Sequence, residues 1–270
     1  MRALKSVKGR DLGLDSDGTL VVPRGGLALG DHGNQFEMNS PKRLVVFDDF
    51  LGDTLNADLY SNPTKGSDAA TVDFAVLAAQ QSGFLRGTFG ANAGASMATN
   101  GIAINGALQW KANQTAHPRR LVLEARVRLS AITNINAFIG FTDQIAALEA
   151  PFTIAGGDAF TSNASDAVGF VFDTTAATDR WWLAGVKTDV DVAHQLTAFA
   201  PVAATFETFR IEVAPDGSAV FFRNGKQVGV RMANAVAVAI SLAPCVTGFT
   251  QSAASATCDI DYVHVAADRV

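Results

Sequence analysis

The run FETFRIEVAPDGSAVFFRNGKQVGV, from Phe206 to Val230, leaves this chain few choices of fold. Phe209, Ile211 and Val213 alternate with Arg210 and Glu212, a period of two that puts the apolar side chains on one face of an extended strand. Pro215-Asp216-Gly217 breaks the run with turn chemistry, and Ser218 to Arg223 resumes it. Asn224-Gly225 closes a second turn and suits a two-residue hairpin, because both central residues there take positive φ. The stretch is expected to be an antiparallel meander.

The same pattern recurs along the chain. Between Arg119 and Ser130, Leu121, Leu123, Ala125, Val127 and Leu129 share one face, while Arg120, Val122, Glu124, Arg126 and Arg128 share the other. Asn136 to Phe141 is expected as its partner strand, and Val168 to Asp173 with Arg180 to Lys187 as the next pair. Shorter strands are expected at Leu44 to Phe47, Phe74 to Leu77, Gly83 to Phe89, and as a pair around Asn105-Gly106. Val236 to Leu242 and Thr257 to Val265 would close the fold. Asp143 to Asp166 is a long loop with room for one helical turn at Ile145 to Ala150, and Thr188 to Phe199 is a second exposed loop. Many short strands with regular turn signals and no long helix point to an all-β antiparallel sandwich or jelly roll. A length of 270 residues suits one such domain. Leu121, Leu123, Val127, Phe209, Ile211 and Val213 are its expected core, with Trp110 also inside.

Residues 1–43 differ from this body, taken as 44–270. They hold seven Lys/Arg and five Asp/Glu, a net +2; the rest holds fourteen and twenty-one, a net −7. With too few apolar residues for a core, they are expected to form an extended N-terminal arm that orders against something else. Arg2, Lys5, Lys8 and Arg10 would pair with acidic groups there. Leu20, Val21, Val22, Leu27 and Leu29 would add strands to an exposed sheet edge.

An acidic body argues against nucleic acid, whose binding draws most of its affinity from cationic charge. No apolar leader opens the chain, and the longest apolar run, Ala233 to Val246, is too short and too interrupted to span a bilayer. Synthesis in the cytoplasm without a membrane partner is expected. Cys245 and Cys258 lie near the closing strands; their pairing is left open.

Little chemistry announces itself. The four histidines, His32, His117, His194 and His264, stand apart, and no zinc spacing occurs. Asp15-Ser16-Asp17-Gly18 lacks the later ligands of a calcium loop and reads as a turn. Thr188-Asp189-Val190-Asp191 and Asp48-Asp49 offer oxygens without a complete ligand set. Gly94-Ala95-Ser96-Met97-Ala98 is not a nucleophile elbow, and no phosphate-cradling glycine motif is present. No cofactor is expected. Glycoside hydrolysis usually needs two carboxyls flanking one bond. Glu207 and Glu212 are the only close glutamate pair, and an odd separation puts them on opposite strand faces. The expectation is that the chain is not an enzyme. Trp181 and Trp182 are adjacent, so one points outward. That ring could serve as a sugar platform, though packing beneath a loop or as a contact with a neighbouring subunit is favoured.

Four segments taken in order carry a resemblance: FDDFLGD at Phe47 to Asp53, DAVGFVFD at Asp166 to Asp173, FRIEVAPDGSAVFFRNG at Phe209 to Gly225, and Asp261-Tyr262-Val263. Together they resemble the concanavalin A-like lectin/glucanase sandwich, in the LamG-like form found in tailed-phage virion proteins. The resemblance covers about residues 44–270 and implies two antiparallel sheets in a jelly roll. It also implies a virion role: a non-enzymatic capsid decoration protein on the outer shell, bound to the major capsid protein or another virion protein. By analogy it would be a homotrimer. The alternative is a tail or fibre module, or a carbohydrate-binding module for host attachment.

Overall fold

The alternation read in residues 121–129 becomes the central strand of a sandwich, because it presents one wholly apolar face that only a second sheet can cover. The computed structural model describes residues 43–269 except 53, 57–58, 61–63, 78–82, 94–95, 108 and 115–116, together with Gly13–Leu14 and Leu20–Val21. The chain divides into two units, residues 1–41 and 42–270. In the first, β1 (Gly13–Leu14) pairs antiparallel with β2 (Leu20–Val21), so Leu20 and Val21 do lie in a strand. Their side chains, and the other attachment candidates Arg2, Lys5, Lys8, Arg10, Val22, Leu27 and Leu29, fall outside the described residues.

The second unit runs β3 (Arg43–Asp48), β4 (Thr64–Lys65), β5 (Asp73–Val76), β6 (Leu85–Thr88), α1 (Met97–Asn100), β7 (Ile102–Asn105), β8 (Asn113–Gln114), β9 (His117–Pro118), β10 (Leu121–Leu129) and β11 (Ile135–Thr142). It continues with β12 (Phe152–Ala155), β13 (Ala159–Ser162), β14 (Ala167–Asp173), β15 (Trp182–Lys187), β16 (Val190–Asp191) and β17 (Gln195–Leu196). It closes with β18 (Glu207–Val213), β19 (Ala219–Arg223), β20 (Lys226–Met232), β21 (Ala243–Thr250) and β22 (Thr257–Asp268). The first sheet has the order β20-β19-β18-β10-β22-β6-β5, with β3 also on β22. The second has the order β16-β15-β14-β11-β21-β7-β4, with β17 also on β15. This is the expected antiparallel sandwich.

The meander forms as read. Asn224 and Gly225 take φ of 48° and 75°, the pair of positive values that the tight turn demands. The six expected core residues are all buried between the sheets, and Trp110 is buried as well. Aromatic rings fill the centre: Trp181 lies 4.7 Å from Phe209, and Phe170 lies 5.0 Å from Phe209 and 5.5 Å from Phe221.

Four readings are corrected. β11 is not the partner of β10; it sits in the opposite sheet between β14 and β21. Alternation shows which side chains go inside but not which sheet a strand joins. The closing strand is Ala243–Thr250, not Val236 to Leu242. Pro244 is the second residue of β21, where the strand can dispense with an N–H. Its carbonyl accepts from Gly106 N at 2.9 Å. Around Asn105-Gly106 one strand forms, not two, with Trp110 making only an isolated bridge to Leu242. In the long loop, a hairpin of β12 and β13 replaces the expected helical turn.

Ile211 is fully buried in the inter-sheet core. Ile211→Ala is expected to lower stability by about 2–5 kcal/mol through lost burial plus a cavity, read by chemical denaturation with unchanged m-value.

Candidate functional site

Trp181 and Trp182 point to opposite faces, as adjacency in a strand requires. Trp181 joins the inter-sheet core at 1% exposure. Trp182 points to the outer side of the second sheet, yet it is only 8% exposed. Phe160, carried on β13, lies edge-on to it at 5.3 Å, and Phe138, Phe152 and Ile154 complete the packing. Neither ring offers a stacking face, so the sugar-platform reading of these two residues is withdrawn in favour of packing beneath a loop.

The β12–β13 hairpin therefore acts as a roof on the second sheet. It is held from below by Asp173, a fully buried carboxylate at the end of β14. Asp173 Oδ2 accepts from Asn136 Nδ2 at 2.8 Å and from Ile154 N at 2.9 Å. Its Oδ1 accepts from Thr175 N at 3.0 Å, Thr175 Oγ1 at 2.7 Å and Gln251 Nε2 at 2.9 Å. A buried carboxylate is tolerated when donors replace its hydration in this way. Beside the roof a hollow of about 540 Å³ remains, lined by Met97, Leu148, Glu149, Asn163, Phe249 and Gln251 among others. Phe249 and Met97 make an apolar floor with Ala103 and Ala150. Glu149 is exposed and accepts from Gln144 Nε2 at 3.1 Å. Reading the sequence missed this hollow because its walls come from four segments far apart in the chain.

The outer face of the first sheet is open and charged. A bulge in β22, where Arg126 pairs with Tyr262 and Val127 with Ile260, leaves both Asp261 and Tyr262 facing outward. Asp261 pairs with Arg126 at 2.6 Å, and Tyr262 Oη donates to Glu124 Oε1 at 2.8 Å. Arg210 bridges Glu124 and Glu212. Glu212 faces outward with this set, whereas Glu207 lies on the face of Phe209 and pairs with Arg223. The two glutamates are on opposite faces, as the odd spacing required.

Among the described residues, no group of three or more His, Cys, Asp or Glu is placed to hold a metal ion, and no helix is long and apolar enough to cross a membrane. Cys245 packs under the roof and Cys258 in the inter-sheet core. Both are free and buried, and burial pushes both thiols above their ordinary range.

No family model and no curated protein sequence matches the chain. Solved structures do. A β-glucanase of Bacillus licheniformis superposes with a TM-score of 0.56 at 10% identity, over 82% of this chain and 97% of the other. An endo-1,3-β-glucanase from Streptomyces sioyaensis gives a TM-score of 0.54 at 12% identity, over 86% and 99%. A protein of unknown function from Shewanella oneidensis MR-1 gives 0.50 at 11%, over 84% and 87%. The fold is thus the concanavalin A-like glucanase sandwich. The expectation that the chain is not an enzyme is overturned by these neighbours, because the same sandwich carries glycoside hydrolases. At this identity the likeness establishes the fold alone.

One group on the open face reports on pH. His264 is packed against Phe47 with ring centroids 6.5 Å apart. Burial first, then the charges of Arg210 and Arg43, push its pKa down to about 4. The unfolded chain takes up this proton near pH 6.5, so below that it binds more protons than the folded one. Stability is therefore expected to fall by up to about 3 kcal/mol as pH drops from about 6.5 to about 4. His264→Gln should flatten that part of the pH profile, read from urea midpoints across the window.

Proposed function

We propose that this protein is a structural subunit of a tailed-phage particle, a capsid decoration protein displayed on the outer shell. One observation carries the reading. A self-contained sandwich at 42–270 is preceded by a separate unit at 1–41 that lacks the apolar content to build a core. That is the division expected when one part is displayed and the other attaches. Three of the segments behind the resemblance sit in central ladders of the two sheets: β14, the β18–β19 turn and β22. The partner would be the major capsid protein, and the basic residues of the first unit would meet its acidic surface.

Ordering a chain segment on a partner costs about 1–2 kcal/mol per residue, so attachment needs a long complementary surface or several linked copies. Removing residues 1–41 is expected to leave a folded sandwich, with its circular dichroism spectrum and melting temperature retained, that no longer co-sediments with particles. Binding as tight as that of the full chain would contradict the reading.

The hollow beside the roof favours a second reading, in which the sandwich engages a glycan. Its apolar floor and the carboxylate and amides of Glu149, Asn163 and Gln251 suit a sugar ring and its hydroxyls. Saturable glycan binding lost in Glu149→Gln, or reducing ends released from a polysaccharide, would select this reading over the first.

A further inference from the structure

Two surfaces of the sandwich are complementary, and nothing described so far uses them. The first lies on the open sheet. Arg86 on β6 and Arg126 and Arg128 on β10 surround Phe84 and Phe206. Arg126 lies 4.6 Å and Arg128 4.5 Å from the Phe206 ring centre, and Arg86 lies 5.5 Å from that of Phe84. Asp259 binds Arg86 at 2.7 Å and also binds Arg128, while Asp261 binds Arg126. These three guanidiniums face two carboxylates and keep 36, 41 and 27% of their side-chain surface for Arg86, Arg126 and Arg128. The face continues through Tyr262 to Phe47, which is 47% exposed, and Val45, which is 45% exposed. Arginine with exposed aromatic rings is the composition of protein contact centres.

The second surface is the tip between β15 and β16. Thr188 and Asp189 take φ of 50° and 61°, and Val190 stands out at 67% exposure between Asp189 and Asp191. Asp189 accepts from the Ser165 hydroxyl at 2.6 Å. Asp191 accepts from the Ser162 hydroxyl and has His194 at 3.8 Å. Among the described residues neither carboxylate has a Lys or Arg partner. Burial holds His194 below its usual pKa, against the pull of Asp191.

We propose that the chain associates with itself head to tail, the Asp189–Val190–Asp191 tip of one copy seating on the Arg86–Arg126–Phe206 face of the next. The carboxylates meet the surplus guanidinium charge and Val190 covers the Phe206 ring. The tip is at the edge of the second sheet and the receiving face is on the first, so the contact is heterologous and builds a closed ring or an open row. The inference does not rest on the virion reading.

Sedimentation velocity of the full chain tests it. The wild type is expected to run as an assembly that weakens as salt rises. Asp189→Lys with Asp191→Lys, or Arg126→Glu alone, should weaken association at least about tenfold. Melting curves check that each variant is folded. Val190→Ser, which touches no ion pair, should weaken it too. An equimolar mixture of the tip-reversed and face-reversed variants should re-form assemblies holding both in equal amounts. A monomeric wild type at low salt, variants that associate as it does, or a mixture that stays monomeric would overturn the proposal.

Discussion

The burial of the second sheet on both faces is the constraint on which the rest of the sandwich depends. Every residue of β11, β14 and β21 is buried, a pattern more usual for sheets covered by helices than for antiparallel ones. The inner face packs on the first sheet, and the outer face needs a cover built from the chain's own loops. Such a tight fit demands small residues in the middle. Gly140 stands opposite Gly169, and a Cβ on Gly169 would lie 2.5 Å from Ile139 O and from the Phe138 ring. Asp173 then ties the cover down by receiving donors from β11, β12 and the turn after β14.

With one outer face closed, the hollow at the margin of the roof and the outer face of the first sheet stay open among the described residues. That face keeps its charges in order through the bulge at Asp261 and the Arg–Asp259 cluster. Guanidiniums held by both a carboxylate and a ring lose less freedom when they meet a partner than flexible lysines would. The flanks of the sandwich are also bridged by side chains. Lys65 on β4 reaches Asp73 on β5 at 2.9 Å, linking the two sheets at one side. At the other, the side-chain amide of Gln195 accepts from Val230 N at 2.9 Å and donates to Val230 O at 3.1 Å, covering the β20 edge as a strand would.

How much of this was legible in the sequence follows from where water lies. β10 and β18 were readable because one face carries mostly charged and polar side chains, which imprints alternation on the residues. β11 has no wet face, so its apolar run gave a strand but no sheet. The opposed faces of Trp181 and Trp182, and of Glu207 and Glu212, followed from parity alone. The cover over Trp182 did not, because Phe160 arrives from a hairpin more than twenty residues away and leaves no local trace. Absence of a recognised carboxylate pattern was a weak basis for excluding catalysis, and the glucanase fold removes it.

Hydrogen exchange of the full chain, followed by mass spectrometry, tests the closed second sheet most directly. Amides of residues 135–142, 167–173 and 243–250 are predicted to exchange only through global unfolding, and the Phe152 to Ser162 hairpin to share that protection. Hairpin peptides that exchange orders of magnitude faster than the sheet beneath them would show a roof that opens on its own, and would contradict this account.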